Sequence, residues 1–196
     1  MASLNTKLPK WNKEEIISEI EEFSKIYNER PIKDNRYGMK FPHLFAFYFI
    51  LKKLNPEYVV ESGVYKGQGT WLIEKILPNA KILSIDIKLH YREFIASRAE
   101  YSNKDFKFQN FENIDLEKSL VIFDDHHNSL ERLKECKWFG FKHIIFEDNY
   151  LPNEGDFYSL KQCLNGSGFK LKKNFFFEKF KGILIFLKFQ IDLLFP

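Results

Sequence analysis

Two short apolar runs in this chain each end in acids. Leu120-Val121-Ile122-Phe123 runs into Asp124-Asp125-His126-His127, and His143-Ile144-Ile145-Phe146 runs into Glu147-Asp148-Asn149. Carboxylates gathered without matching cations repel one another. A hard divalent ion such as Mg²⁺ relieves that repulsion, and all-oxygen side chains of this kind suit it far better than zinc. A different arrangement lies upstream. Tyr58-Val59-Val60 passes through Glu61 into Gly63, Gly67 and Gly69, after which Trp71-Leu72-Ile73 and Ile76-Leu77 take up helical spacing. A strand that ends in glycines before a helix leaves N–H groups pointing into a crevice. Lys81-Ile82-Leu83-Ser84-Ile85-Asp86 then ends in a carboxylate 25 residues after Glu61, placed to meet a pair of ribose hydroxyls. Strand, glycines and distal acid together predict a nucleotide-type cofactor loop.

The elements that must position these groups can be read around them. Asn12-Lys13-Glu14-Glu15 resembles a capping box, and Ile16, Ile17, Ile20, Phe23, Ile26 and Tyr27 follow at helical spacing to about residue 29. Residues 31–40 form a loop, and residues 41–54 are apolar on all sides, so a helix there is buried. Asn55-Pro56 stops it. Residues 1–55 are thus expected to cover an α/β core of residues 56–196 within a single domain. After Asp86 the pattern predicts a helix over 90–100, a third strand at 106–109, a helix over 129–138 and a fifth strand ending at Phe146. Alternating strands and helices imply a parallel sheet. A helix over 154–164, a turn at 166–168 and a closing hairpin of residues 169–177 and 183–189 complete the expectation.

The spacing from Glu61 to Gly69, E-x-G-x-x-x-G-x-G, resembles motif I of the class I S-adenosylmethionine-dependent methyltransferases, with Asp86 at the place of that family's ribose-binding acid. The resemblance spans about residues 35–189. It implies a doubly wound, mostly parallel seven-stranded Rossmann-like sheet, with the amino-terminal helices as cover and the carboxy-terminal hairpin adding an antiparallel strand. It places Glu61, Gly63, Tyr65, Gly67, Asp86 and Asp125 at the cofactor. Packing is the alternative for Tyr65, and also for Met39 near the cofactor's mouth. Phe123-Asp124-Asp125-His126 with Phe146-Glu147-Asp148-Asn149 looks like the metal-binding pattern of the cation-dependent O-methyltransferases of the catechol and caffeoyl-coenzyme A type. Carried over, this gives Asp125, Asp148 and Asn149 as ligands of Mg²⁺ or another divalent cation. The related macrocin and novobiocin-type sugar O-methyltransferases and cephalosporin-hydroxylase-like proteins use two adjacent acids after the fifth strand. That register replaces Asn149 with Glu147 and brings in Asp124. Capping is the alternative role: Asp124 or Asp125 before a helix at Ser129, and Asp148 or Asn149 before a turn at Pro152.

One departure matters. Where the catechol-type enzymes hold a general-base lysine, this chain has Asn128. His127, or His126, is the candidate replacement, since imidazole titrates near neutrality; a structural histidine capping the next helix is the alternative. The resemblance implies methyl transfer from S-adenosylmethionine to a hydroxyl of a small molecule or sugar with neighbouring hydroxyls. A non-catalytic cofactor-binding module and a cephalosporin-hydroxylase-like metal enzyme are the competing readings.

Composition narrows the field. A chain of 196 residues and 23.5 kDa with 44% hydrophobic residues is long enough for a full core, and its 22 Phe are expected to take core positions that Leu usually fills. A net charge of +3 and a pI near 8.6, without a basic run interleaved with aromatics, argue against a nucleic-acid partner. Cys136 and Cys163 lack C-x-x-C spacing and fit a reducing cytoplasm. Residues 1–11 lack an apolar signal region, and the apolar stretch 182–196 is shorter than the roughly 20 residues a spanning helix needs. No membrane association is expected; residues 189–196 are a candidate homodimer or partner contact.

Overall fold

The computed structural model describes residues 11–151, 154 and 158–164. Helix α1, Lys13–Asn28, begins where the sequence predicts, with the Asn12 side chain accepting the Glu15 N–H at 2.8 Å. Helix α2, Phe41–Leu54, starts at the Phe41-Pro42 step and ends at Asn55, which takes a left-handed φ of 43°. Its Leu44, Phe45, Phe47, Tyr48, Phe49, Ile50 and Leu51 are all buried. Phe23 is the one buried residue of α1 and packs among the rings of Tyr27, Phe41, Phe45 and Tyr48. Polar contacts fix the pair, as Tyr48 donates to Glu19 at 2.7 Å and Lys52 reaches both Glu19 and Glu22. The expected amino-terminal cover is therefore a helix pair, and α2 packs onto the helix that follows the glycine turn.

That helix is α3, Gln68–Ile76, and it lies between strands β1, Tyr58–Ser62, and β2, Lys81–Ile85. Strands β3, Ala99–Ser102, β4, Ser119–Phe123, and β5, His143–Phe146, complete a sheet of order β3-β2-β1-β4-β5 in which every pairing is parallel. Val60 stands opposite Leu83 on one side and Val121 on the other. Helix α4, Ser129–Phe139, joins β4 to β5, and a short α5, Leu160–Leu164, packs against α4. The chain winds outward from β1 through β2 to β3, then returns to β4 on the other side of β1. Such a reversal opens a crevice at the carboxyl ends of β1 and β4.

Two expectations fail between β2 and β4. Residues 90–100 form a short 3₁₀ turn, Leu89–Tyr91, followed by strand β3, and residues 106–109 contribute the 3₁₀ turn Phe106–Phe108 in place of a strand. Arg98 explains where β3 starts. Its Nη2 donates to the carbonyls of Glu74 at 2.6 Å and Leu77 at 3.2 Å, and its backbone N–H donates to Glu74 Oε1 at 2.8 Å, so the chain is tied to the end of α3 just before Ala99. Phe106 is drawn inward instead of alternating along a strand: it is fully buried against Phe111, Phe123, Phe139 and Phe141. The Phe excess thus forms two aromatic clusters, one under the cover and one beside β4. The helix expected over 154–164 is confined to α5, since Glu154, Tyr158 and Ser159 lie outside it. Five strands of the expected seven are described; the hairpin and the apolar tail lie outside the described residues. No helix among the described residues is long and apolar enough to cross a membrane.

Candidate functional site

The glycine turn after β1 is held from three sides. Gly63 has a φ of +100°, and a Cβ there would lie 2.0 Å from the Asp124 carbonyl oxygen, so the turn rests directly on the end of β4. Gly67 is the N-cap of α3. Asp86 closes the third side: its Oδ2 accepts the N–H groups of Val64 and Tyr65, each at 2.9 Å, while Oδ1 accepts the Lys88 N–H at 2.7 Å. Asp86, expected at a ribose, therefore stands at the glycine turn and shapes it. Its Oδ1 retains a second acceptor position, whereas Oδ2 already accepts two N–H groups.

Glu61 sits beneath the turn with 1% of its surface exposed. Its Oε2 accepts from the hydroxyls of Thr70 and Ser84, and its Oε1 has no hydrogen-bond partner among the described residues. Burial pushes its carboxyl up to about 7, against the pull of the two hydroxyls. Gly69 makes room for the unpartnered oxygen: a Cβ at that position would meet Glu61 Oε1 at 2.2 Å and Met39 Cε at 2.9 Å. A buried carboxylate oxygen without a donor is a place where an ammonium group would be satisfied.

Across the crevice, β4 and β5 bring acids together as their parallel pairing requires. Ligand atoms of Asp124, His126 and Asp148 all lie within 4.8 Å of one another, with His126 Nε2 at 3.4 Å from Asp148 Oδ2. Burial raises the Asp124 carboxyl well above its ordinary range, and Glu147, Asp148, Glu61 and Asp125 add to the effect. Burial and the neighbouring Glu147 push Asp148 up to about 7. Glu147 is held low despite its burial, because His43 on α2 hydrogen-bonds to it. Excess negative charge of this kind is what a divalent cation would neutralise.

The other candidates separate by position. Asp125 turns away from this group: its Oδ2 accepts from Ser62 Oγ at 2.6 Å and Arg132 Nε at 2.9 Å, and its Oδ1 accepts the His127 N–H at 3.2 Å. Asn149 Oδ1 accepts the Lys161 N–H of α5 at 3.1 Å, while its Nδ2 is buried without a partner among the described residues. Asn128, at the place of the family's lysine, is the N-cap of α4 and accepts from Leu130 and Glu131 at 3.0 and 3.3 Å. The cap is thus an asparagine, and neither histidine supplies it. His126 stands beside Asp148 with a left-handed φ of 54°, and His127 is exposed. Tyr65, also left-handed at 47°, follows Val64 in the turn.

Sequence reasoning missed Arg132, His43, Gln68 and the Thr70 and Ser84 hydroxyls. Arg132 is 2% exposed and bridges Asp105, Asp125 and Glu135. Its guanidinium holds the Asp105 carboxyl down to about 2. The only signal available in the sequence was its place one turn into a helix that follows a run of acids.

Sheet order, glycine turn and terminal acid of β2 define the class I methyltransferase fold. A structure of CmcI with S-adenosylhomocysteine has this fold in common with the chain, at a TM-score of 0.50 and 15% identity, covering 74% of this chain and 80% of that one. An S-adenosylhomocysteine-bound methyltransferase of Podospora anserina gives 0.46 and 13%, covering 68% and 61%, and CmcI with Mg and S-adenosylmethionine gives 0.44 and 19%, covering 74% and 68%. No protein-family model matches the sequence, and no curated protein matches it.

Proposed function

We propose that this chain binds S-adenosylmethionine and directs its methyl group to a hydroxyl of a small molecule or sugar, with a divalent cation held beside the cofactor. The observation that carries the reading is Glu61, whose Oε1 is buried and unpartnered beneath a glycine turn with no room for a Cβ at Gly63 or Gly69. Glu61 would hold the amino group of the cofactor's methionine moiety. Asp86, already at the mouth of the turn, would accept from a ribose hydroxyl through the position left on Oδ1. The cofactor supplies an activated methyl group, and a cation supplies the positive charge that makes a nearby hydroxyl more acidic.

Asp124, His126 and Asp148 would hold the cation, with Glu147 close by. Of the two registers the sequence allows, the geometry favours the one that includes Asp124, because Asp125 is committed to Arg132. The imidazole makes Mn²⁺ as suitable an occupant as Mg²⁺. The chain's own contribution is orientation. The parallel register of β1 and β4 sets the turn and the acids side by side, so a substrate oxygen between them would face the methyl donor.

Calorimetric titration of S-adenosylhomocysteine, with Mn²⁺ or Mg²⁺ and again with EDTA, tests the proposal. Saturable binding that weakens in Asp86→Ala, together with a separate cation heat, is expected. Binding without any cation heat would leave a metal-independent transferase or a binding module, and no binding would overturn the reading.

A further inference from the structure

Glu147 stands between two sets of partners. Its N–H donates to the Phe123 carbonyl at 2.9 Å, so its backbone is fixed where β5 ends beside β4. Its carboxyl is nearly buried, lies close enough to Asp148 to share a hydrogen bond with it, and adds to the negative field at Asp124. Both of those neighbours belong, with His126, to the group whose ligand atoms lie within 4.8 Å of one another, and Glu147 is not among them. Its Oε1 instead meets Nδ1 of His43.

His43 comes from the cover and not from the sheet. It sits in the first turn of α2, just after Phe41-Pro42, with Leu44 and Phe45 buried immediately behind it. Further along the helix, Tyr48, Lys52 and Lys53 bind the Glu19, Glu22 and Glu15 carboxylates of α1, and α2 also packs on α3. The imidazole is therefore carried on a fixed scaffold. Its side chain is 43% exposed, while the carboxylate it meets is only 8% exposed. A hydrogen bond to an ionised, nearly buried acceptor is among the stronger kinds, and it requires only that Nδ1 carry its hydrogen. Glu147, whose flexible side chain could otherwise turn toward Asp124 and Asp148, is held toward the cover.

Each carboxylate added around a divalent cation displaces a water and tightens the ion. A cation that acts on a substrate needs the opposite, a position left unfilled by protein. We propose that His43 is a positioning residue: by holding Glu147 against the cover it keeps this carboxylate off the cation and leaves a coordination position open for a substrate oxygen. The inference rests on the cation reading given above and adds to it a role for the helix pair, since the group that sets the ligand count belongs to α2.

Mn²⁺ titrated into the full chain, followed by calorimetry and by water-proton relaxation, tests it. The relaxation reports how many waters remain on the ion. His43→Ala is expected to bind Mn²⁺ about tenfold more tightly than the parent chain and to lower the relaxation enhancement, because the released Glu147 takes the place of water. Glu147→Gln in the His43→Ala background should remove both changes. His43→Asn, whose amide N–H stands in for the Nδ1–H, should behave as the parent chain does. Should His43→Ala fail to fold by circular dichroism, His43→Leu, which keeps bulk without the donor, carries the comparison. Weaker Mn²⁺ binding in His43→Ala would overturn the proposal and make His43 itself a ligand. Unchanged affinity and relaxation would also overturn it, leaving the contact as a tie between cover and sheet. A parent chain that binds no Mn²⁺ would overturn the cation reading and this proposal together, whereas a parent chain that binds it with variants that do not differ would sink the proposal alone.

Discussion

Arg132 donates from Nε to Asp125 Oδ2 at 2.9 Å, and this one contact divides two adjacent aspartates into different roles. Asp125 becomes part of a buried ionic network, while Asp124 is left among carboxylates with no lysine or arginine of its own among the described residues. A buried pair is worth little compared with an apolar replacement, but breaking one side of it is expensive. Arg132→Met leaves Asp105 and Asp125 without their common partner and is expected to cost about 3–5 kcal/mol in urea unfolding. Asp125→Asn keeps a hydrogen-bonding side chain and is expected to cost about 1–3 kcal/mol. A loss below 1 kcal/mol for Arg132→Met would show that the network is solvated and that Asp125 is available for other work.

The same contact shows where the sequence stops being informative. Strand ends, helix starts at Asn12 and Phe41, and the glycine turn were legible because periodicity and local capping chemistry dictate them. The convergence of Glu61, Asp86 and the two acidic strand ends followed from parallel pairing alone. Which face of its strand end each acid takes did not follow. Asp124 and Asp125 are equivalent in composition, and only a helix turn that returns Arg132 to the sheet distinguishes them. β3 was hidden for another reason: Ala-Glu-Tyr-Ser is an edge strand with no buried residue, so it carries no alternation, whereas Phe106 and Phe108 two turns later mimic it. Gln68 was invisible because burial of an amide leaves no pattern.

Gly63 links the two halves of the site. A methyl group there would stand 2.0 Å from the Asp124 carbonyl oxygen just past β4 and would require a φ of +100° that L residues avoid. Gly63→Ala is therefore expected to lose about 2 kcal/mol or more of stability and to abolish cofactor binding. Thermal unfolding and S-adenosylhomocysteine titration check both. An alanine variant with unchanged melting temperature would mean that the turn is free to move away from Asp124.

Glu61 makes stability depend on pH. Its folded pKa of about 7 exceeds the ordinary 4.5, so between those values the folded chain holds a proton that the unfolded chain has released. Stability from this group is fully present below pH 4.5 and declines as pH rises toward 7, by an upper estimate of about 3 kcal/mol for so buried a carboxyl. Glu61→Gln removes the titration. Chemical unfolding of the cofactor-free protein at pH 5 and pH 8 should show a smaller decline for the variant than for the parent chain. Parallel declines would mean that another group is responsible.

Cation binding provides the sharpest separation of Asp124 from Asp125, because the two substitutions predict opposite patterns. Asp124→Asn and Asp148→Asn each remove one candidate ligand atom from the group within 4.8 Å, so Mn²⁺ affinity is expected to fall by about tenfold or more. Both substitutions also remove a charge from a crowded cluster, so the metal-free protein should be no less stable at pH 8. Asp125→Asn should retain the Mn²⁺ heat and lose stability instead, since its partner is Arg132. Calorimetry and urea unfolding on the three variants therefore form one experiment. If Asp125→Asn loses the cation while Asp124→Asn keeps it, the ionic network must open when the ion enters, and the register with Asp125 and Asn149 as ligands is the one in use.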